Sequence, residues 1–197
     1  MKAKTISIEA DGLKIKGTAE RMIQLLAASV FVQALPPAAN VQPVVASAVP
    51  EIGQPWPGQG GLNGGFVPAR GDVPAHYLIF GAKDLGEFAW GRYREESEAT
   101  SKWDGKANTD ALISAGGHPA AEAARAYTAD GHNDFDLPAA TQLYQAWAHD
   151  LISEGYYWSS SQRSANTAFG MRFGDGNQDT NGKLLELRVR PVRRLFI

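Results

Sequence analysis

The sequence predicts an α+β fold on three observations. Alternating or aromatic-rich runs toward both ends read as strands, segments between Thr109 and Ile152 carry helical periodicity, and turn formers separate them. The composition agrees: 21 Gly and 11 Pro accompany five Trp, six Tyr and eight Phe, so the core leans on aromatic side chains rather than on long helices. A chain of 197 residues accommodates one main domain plus a smaller appendage.

Nineteen basic and 21 acidic residues give a net charge of -2, so no global field draws the chain to nucleic acid or to an anionic membrane. The absence of cysteine removes disulfides, thiolate nucleophiles and Cys-based zinc sites together. The one apolar run, "MIQLLAASVFVQAL" from Met22 to Leu35, is too short to span a bilayer and follows acidic residues that a secretory signal would not carry, so it reads as structure without membrane insertion.

"KTISIEADGLKIKG" alternates polar and apolar residues about Asp11-Gly12, the pattern of a two-residue hairpin. Thr18 then stands as a helix N-cap, with Ile23, Leu26 and Val30 on one face, which completes an N-terminal hairpin-helix module over 1–34. Residues 35–51 form a Pro/Ala/Val-rich arm or linker that resists helix formation. From Ile52 the chain is rich in glycine, yet no Gly-Lys-Ser/Thr follows, and the glycines read as turns, not as a phosphate cradle. The strand "YLIF" comes next.

Thr109 to Tyr127 reads as two helical pieces broken at Gly116-Gly117, with Pro119 opening the second, and Leu137 to Ile152 reads as a helix beginning at Pro138. "YYWSSS", "TAFGMRF" and "LLELRVRPV" then predict an antiparallel ending.

The succession "GHNDFDLPAATQLYQAW", "GYYWSSSQ", "AFGMRFGDGNQDTNGK" and "LRVRPVRRL" resembles the C-type-lectin-fold domains of phage and bacterial proteins, the group that includes the C-terminal domain of collagen-like adhesins. More distantly, these are similar to phage tropism determinants and to formylglycine-generating-enzyme-like domains. The resemblance covers residues 52–197 and implies a small twisted antiparallel sheet, two helices, long loops and neighbouring termini. It implies no catalysis here, because the enzyme branch depends on cysteines that this chain lacks.

Ser159, Ser160 and Ser161 lack a nucleophile elbow and a paired histidine, and read as strand serines. His76, His118, His132 and His149 form no zinc motif, and "GHNDFD" reads as a turn leading into a helix. Asp175, Asn177, Asp179, Asn181 and Glu186 have the spacing of a calcium loop, but Thr180 replaces the required glycine and a hairpin loop is expected. Arg188, Arg190, Arg193 and Arg194 read as alternating strand residues paired with local carboxylates such as Glu186. Trp147 and Trp158 are assigned to the core, and Trp56, Trp90 and Trp103 to loops free to meet a partner.

The function expected is non-enzymatic, without cofactor or metal: a phage or prophage protein that recognises a host-surface protein or carbohydrate, located on a virion or cell surface after synthesis in the host cytoplasm. The expected ligand face comprises Tyr157, Ser159, Ser161, Gln162, Arg163, Asn166, Arg172, Asp175, Asn177 and Gln178, aromatic and small polar groups suited to versatile contact. A structural virion or assembly role, and a small-molecule-binding or enzymatic role, stand as alternatives. A homo-oligomer, a trimer by the resemblance to adhesin tips, is expected through residues 1–50, because this module is too small for a core of its own.

Overall fold

A computed structural model describes residues 5–10, 13–18, 20, 23 and 49–197. The chain divides into two units, Met1–Ala48 and Val49–Ile197. In the first, strands β1 (Thr5–Ala10) and β2 (Leu13–Thr18) pair antiparallel with Ala10 opposite Leu13, the register of a two-residue connection. The expected arm apart from residues 49–51, and most of the expected helix, lie outside the described residues.

The second unit is α+β, with three helices and two sheets among its described residues. Helix α1 (Gly105–Ala115) starts where Asp104 Oδ1 accepts from Ala107 N at 2.9 Å, and stops at Gly116, whose φ of 71° suits glycine. Helix α2 (Pro119–Ala126) opens on proline, and Glu122 Oε1 accepts from His118 N at 3.0 Å. Helix α3 (Ala140–Ala148) is shorter at both ends than its apolar periodicity predicts. Pro138 lies outside it because its carbonyl accepts from Ser160 N at 2.8 Å, which holds the preceding segment against a strand.

One sheet has four antiparallel strands in the order β11-β5-β4-β3: β3 (Pro55–Trp56), β4 (Gly61–Val67), β5 (His76–Gly81) and β11 (Val192–Phe196). The glycines expected in turns therefore lie partly in β4. Gly64 explains why: a Cβ there would sit 2.5 Å from Phe80 Cδ2, so the strand crosses the Phe80 ring only without a side chain.

The other sheet has five strands in the order β6-β10-β7-β8-β9: β6 (Glu87–Ala89), β7 (Tyr156–Gln162), β8 (Thr167–Arg172), β9 (Asn177–Gly182) and β10 (Glu186–Arg188). The purely antiparallel ending is corrected here, since β10 runs parallel to β7, with Arg188 opposite Tyr157. "LLELRVRPV" is also two strands and not one, because Pro191 has no N–H for a ladder and its carbonyl instead accepts from Gly81 N at 2.8 Å.

Both faces of β7 are buried. Trp158 joins Trp90, Leu112, Leu137 and Val189 in one cluster with the alanines of α2, whereas its neighbour Tyr157 joins Leu78, Phe80, Leu143, Met171 and Val192 in another. A strand covered on both sides needs small or apolar residues throughout, which is why "YYWSSSQ" carries no charge.

Candidate functional site

The ten residues of the expected ligand face divide sharply. Tyr157, Ser159, Ser161 and Gln162 are buried, and their polar atoms are consumed within the protein. Ser159 Oγ donates to Phe169 O at 2.7 Å, Ser161 Oγ donates to Ser101 O at 2.7 Å, and Tyr157 Oη donates to Asp84 Oδ2 at 3.2 Å. Gln162 Nε2 donates to Glu96 Oε2 at 2.5 Å, while its Oε1 accepts from Lys183 Nζ at 2.7 Å. These four cannot meet a ligand without dismantling the sheet, so their placement on the ligand face is corrected. Their aromatic and small polar side chains suit a contact surface by type, and the burial of β7 on both sides removes them from one.

The other six are exposed but occupy two places. Arg172, Asp175, Asn177 and Gln178 gather where β8 turns into β9: the Arg172 guanidinium pairs with the Asp175 carboxylate, and Asn177 N donates to Asp175 Oδ1 at 3.2 Å. Arg163 and Asn166 lie in the β7–β8 connection, at the other end of the hairpin, where Thr167 faces Gly182. Six residues of strand separate the two groups, about 17 Å. Between them β9 displays Asp179 and Thr180, also exposed.

The Asp/Asn-rich run is therefore an edge strand paired along its length with β8, not a hairpin loop. Its polar residues are tolerated at an edge, where one side of the strand stays in water. Gln178 Nε2 donates to Ala140 O at 2.8 Å, which ties β9 to the start of α3, and Lys102 Nζ lies 5.8 Å from the Phe169 ring centroid. Thr141 N and Oγ1 both donate to Lys102 O at 2.9 Å, so the surface continues from β9 across the start of α3.

On the other flank of α3 lies a cleft of about 100 Å³ that the sequence reading did not find. Val67 and Val73 supply apolar wall, and Arg70, His76, Trp103, Gln142 and Gln145 supply its polar and aromatic groups. The Arg70 guanidinium lies over the Trp103 ring, 4.8 Å from its centroid, and has no carboxylate partner among the described residues. His76 Nδ1 bonds Pro74 O at 2.8 Å, and burial, together with the nearby Arg194 cation, lowers its pKa below the ordinary 6.5 despite the bond to Pro74. Three segments distant in sequence meet here; only Trp103 carried a signal, as a tryptophan in a charged loop.

No protein-family model matches the chain, and no curated protein matches it.

The remaining candidates serve the fold. Arg194 pairs with Asp104, Arg193 Nε donates to Asp134 Oδ1 at 2.7 Å, and Arg190 Nη2 donates to Ala82 O at 3.0 Å. Arg188 lies 3.9 Å from Asp84 and 4.0 Å from Glu87, so the carboxylates facing these arginines come from elsewhere and not from Glu186. Asp136 of "GHNDFD" does not enter a helix; it pairs in buried surroundings with Arg125 at 2.5 Å. Trp90 is fully buried, with Nε1 donating to Ser159 O at 2.9 Å, which corrects its assignment to a free loop. Trp56 is nearly buried too, packed edge-on against Tyr77 at 5.2 Å. Among the described residues no helix is long and apolar enough to cross a membrane, and no three His, Asp or Glu side chains gather as a metal site.

Proposed function

We propose that the Val49–Ile197 unit is a C-type-lectin-like, non-enzymatic binding domain of phage or prophage origin, recognising a host-surface carbohydrate or protein through the face that runs from β9 across the start of α3. Support for the fold is that the last strand of the unit, β11, returns to pair with β5 in one small antiparallel sheet with the early strands β3 and β4, with helices and long connections between them.

One contrast carries the functional reading. β7 holds its hydroxyls in internal hydrogen bonds, whereas β9, two strands away in the same sheet, presents Asn177, Gln178, Asp179 and Thr180 exposed on a strand paired along its length. A buried strand fixes the platform and an edge strand displays side chains from it, so contact residues vary without disturbing the core. The strand serines, with no histidine among their partners, supply no activated nucleophile.

The test is attachment of the full-length protein to a panel of bacterial cells and immobilised surface glycans. The combined N177A, D179A and T180A variant is expected to keep its melting temperature and lose attachment. Attachment of the variant equal to that of the parent overturns the role of β9, and a parent protein that attaches to nothing on the panel overturns the reading. The same reading keeps the trimer expected through residues 1–50, supported by the marginal stability in water of a two-stranded sheet, the described part of the first unit. Light scattering that finds a monomer overturns that part.

A further inference from the structure

We propose that the cleft between the β4–β5 connection and α3 is a subsite for one carboxylated sugar residue, of the uronic-acid type, within a surface polysaccharide. This rests on the reading of the unit as a binding domain and names the chemistry of one part of its ligand.

Size comes first. A cleft of about 100 Å³ is well below the several hundred Å³ typical of drug-sized pockets, and holds a handful of waters. It therefore accepts a single ring of a longer molecule. Charge comes second. Arg70 is the one ionised side chain that lines it; no Asp or Glu does, and burial keeps His76 neutral near pH 7. The guanidinium lies over the Trp103 ring, 4.8 Å from its centroid, a contact that limits its freedom and leaves the fork available to the two oxygens of a carboxylate.

The neutral groups then select against a simple acid. Ala139 N–H donates to Gln142 Oε1 at 2.8 Å, so the oxygen end of that amide is committed and its NH2 is left as donor. Gln145 Nε2 donates to Gly64 O at 2.8 Å, which leaves its Oε1 as acceptor. The Pro74 carbonyl requires a proton on His76 Nδ1, which leaves Nε2 as a second acceptor. No described residue bonds these three free atoms. A ligand that satisfies one donor and two acceptors beside an arginine fork carries hydroxyl groups, which give and accept, next to its carboxylate. A uronic acid has this pattern on a single ring.

The experiment titrates the full-length protein with D-glucuronate, D-glucose and N-acetylglycine by calorimetry or ligand-observed NMR. Glucuronate is expected to bind at least tenfold more tightly than either of the others. Arg70→Ala is expected to abolish glucuronate binding, and Arg70→Lys, which keeps the charge but not the fork, to weaken it severalfold. Arg70 is exposed and has no ion pair among the described residues, so both variants should keep the parent melting temperature. Equal binding of glucose and glucuronate, or an Arg70→Ala variant that binds as the parent does, overturns the proposal. N-acetylglycine bound as tightly as glucuronate also overturns it and reassigns the cleft to a peptide carboxyl terminus. Failure here with attachment still lost in the β9 variant leaves the binding-domain reading standing; glucuronate binding with attachment unaffected by the β9 variant removes only the role of β9.

Discussion

The Lys183 ammonium lies 4.6 Å from the centroid of the Trp90 ring, and both side chains are fully buried. Its Nζ donates to Glu95 O at 2.6 Å and to Gln162 Oε1 at 2.7 Å, so one cation ties a loop, the end of β7 and the aromatic core together. Burial lowers its pKa, against the pull of Glu96 and Glu95. Lys183→Ala leaves two acceptors unsatisfied and a void beside Trp90, and is expected to destabilise the protein by about 3 kcal/mol in urea denaturation. Tryptophan emission should change in the same variant.

His118 sets a pH dependence. Its Nδ1 donates to Trp90 O at 3.0 Å, and its buried Nε2 has no partner. Burial lowers its pKa below 6.5, reinforced by Lys183 and Arg92 and opposed by the Trp90 bond and Glu122. Below 6.5 the unfolded chain takes up a proton that the folded chain refuses, so stability is highest above that value and is lost as pH falls toward the folded pKa. His76 acts in the same direction. Urea midpoints should fall between about pH 7.5 and about pH 5, less steeply in His118→Gln.

Gly176 makes room for Trp147. Its φ is 72°, and a Cβ there would stand 2.3 Å from Trp147 Cε2. Gly176→Ala is expected to cost about 2 kcal/mol through overpacking and a strained φ. Gly174→Ala, two residues away in open space, should stay within about 0.5 kcal/mol. Thermal denaturation of the pair separates the collision from any general effect of the turn.

Arg125 bridges Asp110 at 2.7 Å and Asp136 at 2.5 Å. Burial raises the Asp136 pKa and Arg125 pulls it back down. Removing the guanidinium in Arg125→Met leaves a buried carboxylate unpaired, at a cost of about 3 kcal/mol. The double variant with Asp136→Asn should recover part of that loss, measured as a coupling energy in urea.

Local chemistry was legible in the sequence where a residue acts on its own neighbours. Gly116-Gly117 breaks a helix, Pro119 starts one, and Asp11-Gly12 separates paired strands. The hydrophobic spacing of Leu143 and Ala146 also places them in the core. What escaped depends on partners far along the chain. Nothing in "YYWSSSQ" says that both of its faces are covered, and nothing in "LLELRV" says that its neighbour runs parallel. Trp90 looks exposed among Gly91 and charged residues until Lys183 and Ser159 arrive beside it. The cleft beside α3 was illegible for the same reason, since Arg70, Trp103 and Gln145 share no local pattern.

The place of β11 bears on how the protein is made. β5 lies between β4 and β11, and its Leu78 and Phe80 pack in a cluster that Val192 of β11 completes. A ribosome releases β5 long before β11, so a nascent chain carries "YLIF" with one edge unpaired and a half-built core for most of its synthesis. Until β11 emerges the segment around Leu78 keeps an unpaired edge beside an incomplete core, the state in which a chain is most exposed to wrong pairing.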